Sequence, residues 1–193
     1  DGSRWARGQG WSIYGFTVAY RFTGDEKYLQ RAKDVANYLL VEEDNMPEDL
    51  VPLWDFDVVE FANALPENEF LYQNLKDKNL AKNYTEIRDV STAAIVASAL
   101  YELYWYTKDE FHKESADKMI ESLSTPAYRA KVGENGGFLF MHSVGSLPHS
   151  LLNLEAGRPN DHNIDVPLNY ADYYFLEALL RKGRVEKGEN PIR

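Results

Sequence analysis

The sequence predicts an all-α fold in which helical hairpins form about half of a ring of inner and outer helices. Apolar residues recur at helical spacing in several segments of the 193-residue chain. One of the resulting hairpins is repeated later in the chain. We count about five or six helices, and a closed ring needs about twice that number. The chain is therefore predicted to supply half of such a toroid and to expose the core faces of its end hairpins.

The first predicted hairpin occupies residues 11–40. Its first helix covers residues 11–22 and ends at Gly24, because glycine suits the left-handed conformation that follows a helix. Asp25 is the predicted N-cap of the second helix, which ends near Leu40. One face of this second helix is apolar at i, i+3, i+4 and i+7: Tyr28, Leu29, Ala32, Val35, Ala36 and Leu39.

The second predicted hairpin occupies residues 92–123. Asp89 or Ser91 caps its first helix, over 92–106, and Asp109 caps the returning helix, which runs to about Leu123. The first of these helices is expected to bury one stripe, formed by Ala93, Ala94, Ala97, Leu100, Tyr101 and Tyr104. A shift of 84 residues aligns the two hairpins without a gap, and it places Tyr20, Thr23, Asp25, Glu26, Ala32 and Leu39 on Tyr104, Thr107, Asp109, Glu110, Ala116 and Leu123.

Long irregular segments separate the predicted helices. Residues 46–89 contain three prolines and mixed charges, and we expect a loop there with one short helix near 70–80. Loops of this length are commonly functional, so 58–87 is predicted to be a lid or an interface. Residues 125–166 are also irregular because glycine and proline are frequent there. A final helix is predicted over about 168–181, and a polar, frayed tail follows Gly183.

Composition excludes several classes of function. A net charge of −10 argues against nucleic acid as a partner, and the absence of cysteine excludes disulfides and thiolate metal sites. No run approaches the roughly 18 apolar residues of a membrane span, so no membrane partner is predicted. The first residues are polar and no signal peptide is visible, while the missing initial Met is consistent with removal of a native N-terminus.

The strongest functional signal is the opening segment, residues 3–11. Trp5 and Trp11 offer rigid apolar faces on which sugar rings stack. Arg7 offers a forked donor that matches a carboxylate, and Gln9 offers both a donor and an acceptor to hydroxyl groups. The glycines between them would let the backbone approach a ligand. Together these residues predict a site for a uronic acid, and the structural alternative is an arginine paired with an acidic neighbour and a tryptophan in the core.

Four acidic residues elsewhere have a structural interpretation that we favour over a catalytic one. Burial of Asp55 or Asp57 against the neighbouring aromatic residues would raise the pKa of the carboxyl group and suit a general acid, but a loop anchored by those aromatic residues, with Asp57 or Asp55 as a cap, is the interpretation that we favour. Asp89 is explained as a helix cap, with Arg88 paired to it. Asp172, in the first turn of the final helix, is likewise interpreted as a cap, with a position in the cleft as the alternative.

The apolar segment around 138–141 ends in small polar residues. His142, Ser143 and Ser146 are candidates for contacts with a sugar or a sulfate, although a lone histidine in such a place is more often a hydrogen-bonded packing residue. The four histidines do not form a metal-binding motif, so no metal is predicted. Fingerprints of nucleotide-binding proteins and serine hydrolases are also missing.

Five motifs together resemble the unsaturated glucuronyl hydrolases of glycoside hydrolase family 88. They are spread over nearly the whole chain and keep the family's order: WARGQGWSIYGFT at 5–17, YRFTGD at 20–25, VPLWDF at 51–56, RDVSTAAI at 88–95 and DVPLNYADYYFLEALLR at 165–181. The resemblance implies an (α/α)6 barrel, a toroid of six hairpins, of which this chain supplies about half. Residues 1–183 would be the C-terminal half of the catalytic domain, and 184–193 a polar tail.

The resemblance also implies an activity. Enzymes of this family remove a 4,5-unsaturated glucuronic acid from the non-reducing end of oligosaccharides that lyases release from glycosaminoglycans. An aspartate protonates the C4=C5 vinyl ether, water adds at C5, and the resulting hemiketal opens the glycosidic bond without any cofactor. The family further implies a bacterial protein, in the cytoplasm or the periplasm. Two alternatives stay open: an unsaturated rhamnogalacturonyl hydrolase and a non-catalytic helical-repeat module that binds carbohydrate.

Individual residues carry over from the family to this chain. Arg7 and Trp11 resemble its substrate-binding arginine and tryptophan, with Gln9 between them. Ser143 and Ser146 resemble a serine pair that contacts a sulfate in some members, although a proline stands here where those members have a lysine. The catalytic aspartates of the family lie upstream of the WARGQGW motif. We therefore expect no catalytic residue in this chain, and we expect the N-terminal half of the same barrel as its partner.

Overall fold

The computed structural model describes residues 4–42, 46–60, 86–146 and 165–192, and these residues form helices joined by irregular segments. The helices are α1 (Ala6–Thr23), α2 (Glu26–Leu40), α3 (Val90–Thr107), α4 (Glu110–Leu123) and α5 (Asn169–Glu186), with a 3-10 turn at Asn135–Gly137. Across these four ranges, β pairing is limited to isolated bridges. The prediction of an all-α fold is confirmed. The short helix expected near 70–80, and most of the loop expected over 58–87, lie outside the described residues.

Helices α1, α3 and α5 run parallel and form one layer, with α2 packed on α1 and α4 packed on α3. Arg7 near the start of α1 contacts Asp89, which precedes α3, whereas Arg21 near the end of α1 contacts Glu102 near the end of α3. In α5, Glu177 receives a hydrogen bond from the Tyr14 hydroxyl of α1. The three helices of this layer therefore begin at the same end of the molecule, and α2 and α4 return outside them.

Helix α3 is buried on every side. All residues from Val90 to Leu103 are buried, so the prediction of a single buried stripe was wrong, and Tyr104 lies only partly within the core. The reason is position: α1 and α5 flank α3 in its own layer, while α4 and part of α2 cover its outer side. The many alanine and serine residues of α3 allow this close approach, because small side chains leave the helix surface flat.

The repeat that the sequence predicts extends to individual hydrogen bonds. In each hairpin the threonine hydroxyl donates to the carbonyl four residues earlier, Thr23 to Ala19 and Thr107 to Leu103. The first helix of each ends on a left-handed residue: Gly24 has φ 66° and Lys108 has φ 55°. The shared tyrosine–glutamate and N-cap bonds are also present in both copies: Tyr20–Glu26, Tyr104–Glu110, Asp25–Lys27 and Asp109–Phe111.

Two helix ends differ from the predicted ones. Helix α1 begins at Ala6 rather than at residue 11, because the Ala6 N–H donates to the Trp54 carbonyl at 3.0 Å and a neighbouring loop thus supports the first turn. Helix α5 continues through Gly183 to Glu186, beyond the predicted end near 181. Val185 is buried and Arg184 donates to the Pro191 carbonyl at 3.2 Å, so the start of the tail packs back on the helix.

A buried ion cluster ties the three parallel helices together near their C-terminal ends. Arg21 of α1 donates to both carboxylate oxygens of Glu102, at 2.8 and 3.0 Å. Arg181 of α5 approaches Glu102 from the other side at 3.2 Å and also donates to the Ser98 carbonyl. Because Glu102 is buried, the two guanidinium groups satisfy a charge that would be costly to bury alone. The cluster therefore fixes the spacing of α1, α3 and α5.

Candidate functional site

The predicted binding residues gather where α1, α3 and α5 begin. Loops from distant parts of the chain converge at this end, and isolated bridges join Trp5 to Asp55 and Ser143 to Val166. The helix N-termini add partial positive charge from their unpaired N–H groups, which favours anions. The arrangement brings most of the residues singled out in the sequence to one end of the parallel layer.

Arg7 lies at the centre of this end and is only 3% exposed. Its Nη1 donates to Asp89 Oδ2 at 2.9 Å, to Ser91 Oγ at 3.1 Å and to the Val144 carbonyl at 2.6 Å. Its Nη2 donates to the Gly145 carbonyl at 2.9 Å. Within the part of the chain that the structure describes, Nε and one Nη2 hydrogen have no acceptor. These two donors share one edge of the guanidinium, the edge that can pair side-on with a carboxylate.

Two aromatic rings enclose the Arg7 guanidinium. Its carbon Cζ lies 4.6 Å from the Trp5 ring centroid and 5.3 Å from the Tyr170 centroid. Trp5 itself is 43% exposed, so one part of its ring remains open to a ligand. We did not identify Tyr170 from the sequence. The sequence did contain an indication of its position. Because each hairpin returns the chain to the same end of the molecule, α5 runs parallel to α1, and the first turn of α5 lies beside the first turn of α1.

Asp89 combines a capping role with an ion pair. Its carboxylate accepts from the Ser91 N–H at 3.2 Å and from the Thr92 hydroxyl at 3.0 Å, which confirms the predicted N-cap of α3. Complete burial raises the pKa of Asp89, and the pairing with Arg7 opposes that rise. The predicted pairing of Arg88 with Asp89 was wrong. Arg88 instead donates to the Val51 carbonyl at 2.6 Å, because the Leu53–Arg88 bridge turns its side chain towards that loop.

Gln9 and Trp11 lie on α1, within two turns of Arg7. Both are half-buried, and Trp11 makes edge contacts with Tyr14 and Tyr174, at 6.2 and 5.1 Å between centroids. The neighbouring glycines are explained by protein packing. A Cβ on Gly8 would meet the Trp5 ring at 3.2 Å, and a Cβ on Gly10 would meet Val96 Cγ2 at 3.2 Å. These glycines therefore admit an aromatic ring and a neighbouring helix, which corrects our interpretation that they admit a ligand.

Ser143 is fully buried, whereas Ser146 is partly exposed. The Ser143 hydroxyl accepts from the Ser91 N–H at 3.3 Å, and its backbone pairs with Val166. His142, one residue earlier, lies 2.6 Å from Asp165 through Nδ1, which agrees with the hydrogen-bonded role that we favoured for it. A ligand contact by either serine stays a prediction.

The remaining acidic candidates hold loops in place. Asp55 is buried and accepts from the N–H groups of Arg4 and Asp57, at 3.2 and 2.9 Å, so its carboxylate holds this loop in place. Asp57 pairs with the Arg4 side chain at 2.7 Å. Asp172 does not cap α5, contrary to the favoured interpretation. It accepts from the Leu139 N–H at 2.8 Å, because the loop before residue 146 passes over the first turn of α5.

The described ranges contain neither a metal-binding cluster nor a membrane-spanning helix. No cluster of three or more histidine, aspartate or glutamate residues there is placed to hold a metal ion. None of the helices there combines the length and the apolar character needed to cross a lipid bilayer.

Comparisons with known proteins point to one family. The chain is 40% identical over 180 residues to an unsaturated glucuronyl hydrolase of Formosa agariphila, and 32% identical over 193 residues to one of Bacillus sp. GL1. These matches cover 93% and 95% of this chain but only 36% and 40% of those proteins. No protein-family model matches the chain.

A solved structure agrees with the sequence matches. An unsaturated glucuronyl hydrolase described as specific for heparin superposes with a TM-score of 0.73 at 36% identity, over 97% of this chain and 42% of that one. The resemblance to these glycosidases is therefore confirmed, as is the fold: the chain forms part of an (α/α)6 barrel. It spans about two fifths of the length of the relatives it matches.

Proposed function

We propose that this chain is part of an unsaturated glucuronyl hydrolase. The whole protein would remove a 4,5-unsaturated glucuronic acid from the non-reducing end of oligosaccharides that lyases release from glycosaminoglycans. Support comes from the similarity along nearly the whole chain to hydrolases of that name. It comes also from a guanidinium, aromatic rings and helix N-termini assembled at one end of the parallel layer.

The observation that carries the proposal is the unclaimed edge of Arg7. Its Nη1 and half of Nη2 are committed to protein acceptors, which leaves Nε–H and one Nη2–H without an acceptor among the described residues. The committed bonds hold the guanidinium in one orientation, so a carboxylate would meet a preorganised fork rather than a mobile side chain. The exposed part of Trp5 lies against the same guanidinium and offers an apolar face to the sugar ring. Gln9 and Trp11 are assigned to the adjacent part of the same site, and Ser143 and Ser146 to its far edge.

The proposed chemistry is a hydration. A carboxylic acid group donates a proton to C4 of the vinyl ether, and water gives its oxygen to C5 and its proton to a base. The hemiketal at C5 then collapses, the sugar ring opens, and the glycosidic bond breaks. In our assignment the acid lies on the rest of the barrel and this chain binds the uronate. Three aspartates that the sequence singled out are committed elsewhere: Asp55 and Asp172 hold loops, and Asp89 holds Arg7.

The rest of the barrel is also the proposed partner. Along one side of α5, Tyr173, Leu176 and Leu180 are exposed, the two leucines at 54% and 56%. These residues recur at i, i+3 and i+7 and so form a continuous apolar stripe. A soluble protein rarely leaves such a stripe in water. We assign it to the seam at which the next hairpin of the ring packs.

The test is the loss of vinyl-ether absorbance when the complete protein is mixed with lyase-made disaccharides. We expect activity on at least one disaccharide from chondroitin, hyaluronan or heparin, and none from this chain alone. Faster hydrolysis of pectin-derived unsaturated rhamnogalacturonyl disaccharides would reassign the substrate. Sugar binding without any loss of absorbance would instead indicate a non-catalytic carbohydrate-binding module.

A further inference from the structure

His142 and Asp165 are paired, and both have an unusual backbone conformation. His142 has φ 66° and Asp165 has φ 52°, which lies in the left-handed region; few residues other than glycine adopt it, and aspartate and histidine do so more readily than most. Their side chains meet at 2.6 Å, from Nδ1 to Oδ1. Backbone strain of this kind persists only where the surroundings enforce it, and it concentrates at functional sites. Two left-handed residues that contact each other therefore indicate that this contact has a functional role.

The junction joins the loop that precedes residue 146 to the segment that leads into α5. Immediately after each strained residue, Ser143 and Val166 exchange two backbone hydrogen bonds, at 3.0 and 2.8 Å. The His142 carbonyl accepts from the Val90 N–H at 3.1 Å, so the same turn also closes the start of α3. His142 therefore bonds to the start of α3 through its carbonyl, while the next residue pairs with Val166.

The two residues after this junction are the carbonyl acceptors of Arg7. Val144 accepts from Nη1 at 2.6 Å and Gly145 accepts from Nη2 at 2.9 Å. The positions of these two carbonyl groups determine which N–H donors of the guanidinium remain for a ligand. A shift of the loop by about 1 Å would rotate the guanidinium and so weaken its hydrogen bonds to a bound carboxylate, because such bonds depend steeply on distance and angle.

We propose that the His142–Asp165 pair is a positioning clasp for residues 143–146 and, through them, for Arg7. The inference rests on the proposed function, because it assigns the clasp to uronate binding. Neither residue touches the sugar in this account. The pair borders an open cavity of about 360 Å³, next to Arg88 and Tyr128, so substitutions in it meet solvent rather than a packed core.

The test uses substitutions that separate the pair from the backbone conformation. His142→Gly and Asp165→Gly remove the pair but keep the left-handed geometry without strain. His142→Asn restores a side-chain donor and tolerates the same φ. Lys108→Gly is the matched control, because it also replaces a left-handed residue but lies at the opposite end of α3. All variants are made in the complete protein, and melting curves confirm that they fold.

We expect each glycine variant to raise KM for the unsaturated disaccharide about tenfold while kcat changes less than about twofold, which is the pattern of lost uniform binding. His142→Asn should recover most of the loss, and Lys108→Gly should match the unchanged protein. Glycine variants with an unaltered KM would overturn the clasp, and so would a Lys108→Gly control whose KM rises as much as theirs.

A second readout does not depend on activity. The Arg7 Nε–H resonance in a ¹⁵N spectrum reports the environment of the guanidinium directly. We expect it to shift or broaden in both glycine variants and to return towards its original position in His142→Asn. If no disaccharide is hydrolysed by the unchanged protein, the proposed function fails while this spectrum still tests the clasp. An Arg7 signal that is the same in all variants would refute the clasp alone.

Discussion

At the scale of single residues, the site depends on one buried ion pair. Arg7 and Asp89 are both removed from solvent, and each satisfies a charge that would be expensive to bury alone. The pair also orients the donors of Arg7, since three acceptors take Nη1 while Nε has no acceptor among the residues that the structure describes. The sequence drew attention to this segment because arginine and aromatic side chains together indicate a site for an acidic sugar, and that binding role stays a prediction.

The partners of Arg7 could not be predicted in the same way. Asp89 is 82 positions away in the sequence and Gly145 is 138 away. Periodicity and caps describe local structure, and they carry no information on which loop closes over a helix N-terminus. Arg88 shows the consequence: proximity in sequence suggested Asp89 as its partner, whereas a loop bridge sends its side chain to Val51.

Replacing Asp89 tests the ion pair through stability. Asp89→Ala should lower the free energy of unfolding by about 3–5 kcal/mol, because it leaves the Arg7 charge buried without a carboxylate and removes a helix cap. Denaturant unfolding of the protein measures the change. Asp25→Ala, at the exposed cap of α2, is the control and should cost much less. Equal losses at the two caps would show that the pairing with Arg7 adds little.

At the scale of elements, the two hairpins show how much of the fold local sequence determines. The turn residues that the 84-residue repeat aligned make the same hydrogen bonds in both copies, because caps and left-handed turns involve only neighbouring residues. The burial of α3 on every side was not predictable in this way. Its surroundings come from α1 and α5, which are distant in sequence, and small residues allow both helices to approach.

Alanine substitutions at two glycines of α1 distinguish the effect of side-chain packing on stability from the effect of helix propensity. Gly10→Ala should lower stability by about 1 kcal/mol, because the new Cβ would lie 3.2 Å from Val96 Cγ2 on a branched, buried side chain. Gly15→Ala is the matched control, since nothing lies within 4 Å of its Cβ position, and it should raise stability by about 0.5–1 kcal/mol. Thermal unfolding distinguishes them. A gain of stability in both variants would contradict the close approach of α1 and α3.

Helix α4 contains a residue that should make stability depend on pH. Burial lowers the pKa of His112 below the usual 6.5, because the charged ring is disfavoured inside the hairpin. The unfolded chain therefore binds a proton first, so stability is highest above pH 6.5 and falls as the pH drops towards the folded pKa. His112→Gln should flatten this part of the profile in urea unfolding between about pH 7.5 and 5. An identical slope in both proteins would refute the assignment.

At the scale of the whole molecule, the chain resembles a segment of a larger ring. The solved heparin-specific relative superposes on nearly all of this chain, which in turn covers 42% of that structure. The exposed stripe on α5 fits such an arrangement, because a closed ring would bury it against the next hairpin. The sequence predicted this incompleteness from the number of helices, and the position of the exposed stripe could be seen only once α5 was placed beside α3.

Charge substitutions on the stripe test the seam. Leu176→Lys and Leu180→Lys should each lower the melting temperature of the complete protein strongly, because a buried lysine without a partner is costly. Val132→Lys is the control, since Val132 is fully exposed in a loop and should tolerate the charge. Melting temperatures that stay equal across the three variants would show that the stripe faces water in the complete protein.

The carboxylate-binding role proposed for Arg7 is tested most directly with the neutral methyl ester of the substrate. We would measure kcat/KM for the unsaturated uronic acid disaccharide and for its ester, in the complete protein and in an Arg7→Met/Asp89→Asn double variant that leaves no charge unpaired. The acid should be favoured by about 1.5–3 kcal/mol in the unchanged protein, the scale of a charge-assisted hydrogen bond, and the preference should vanish in the double variant. A preference for the acid that survives in the double variant would contradict the account.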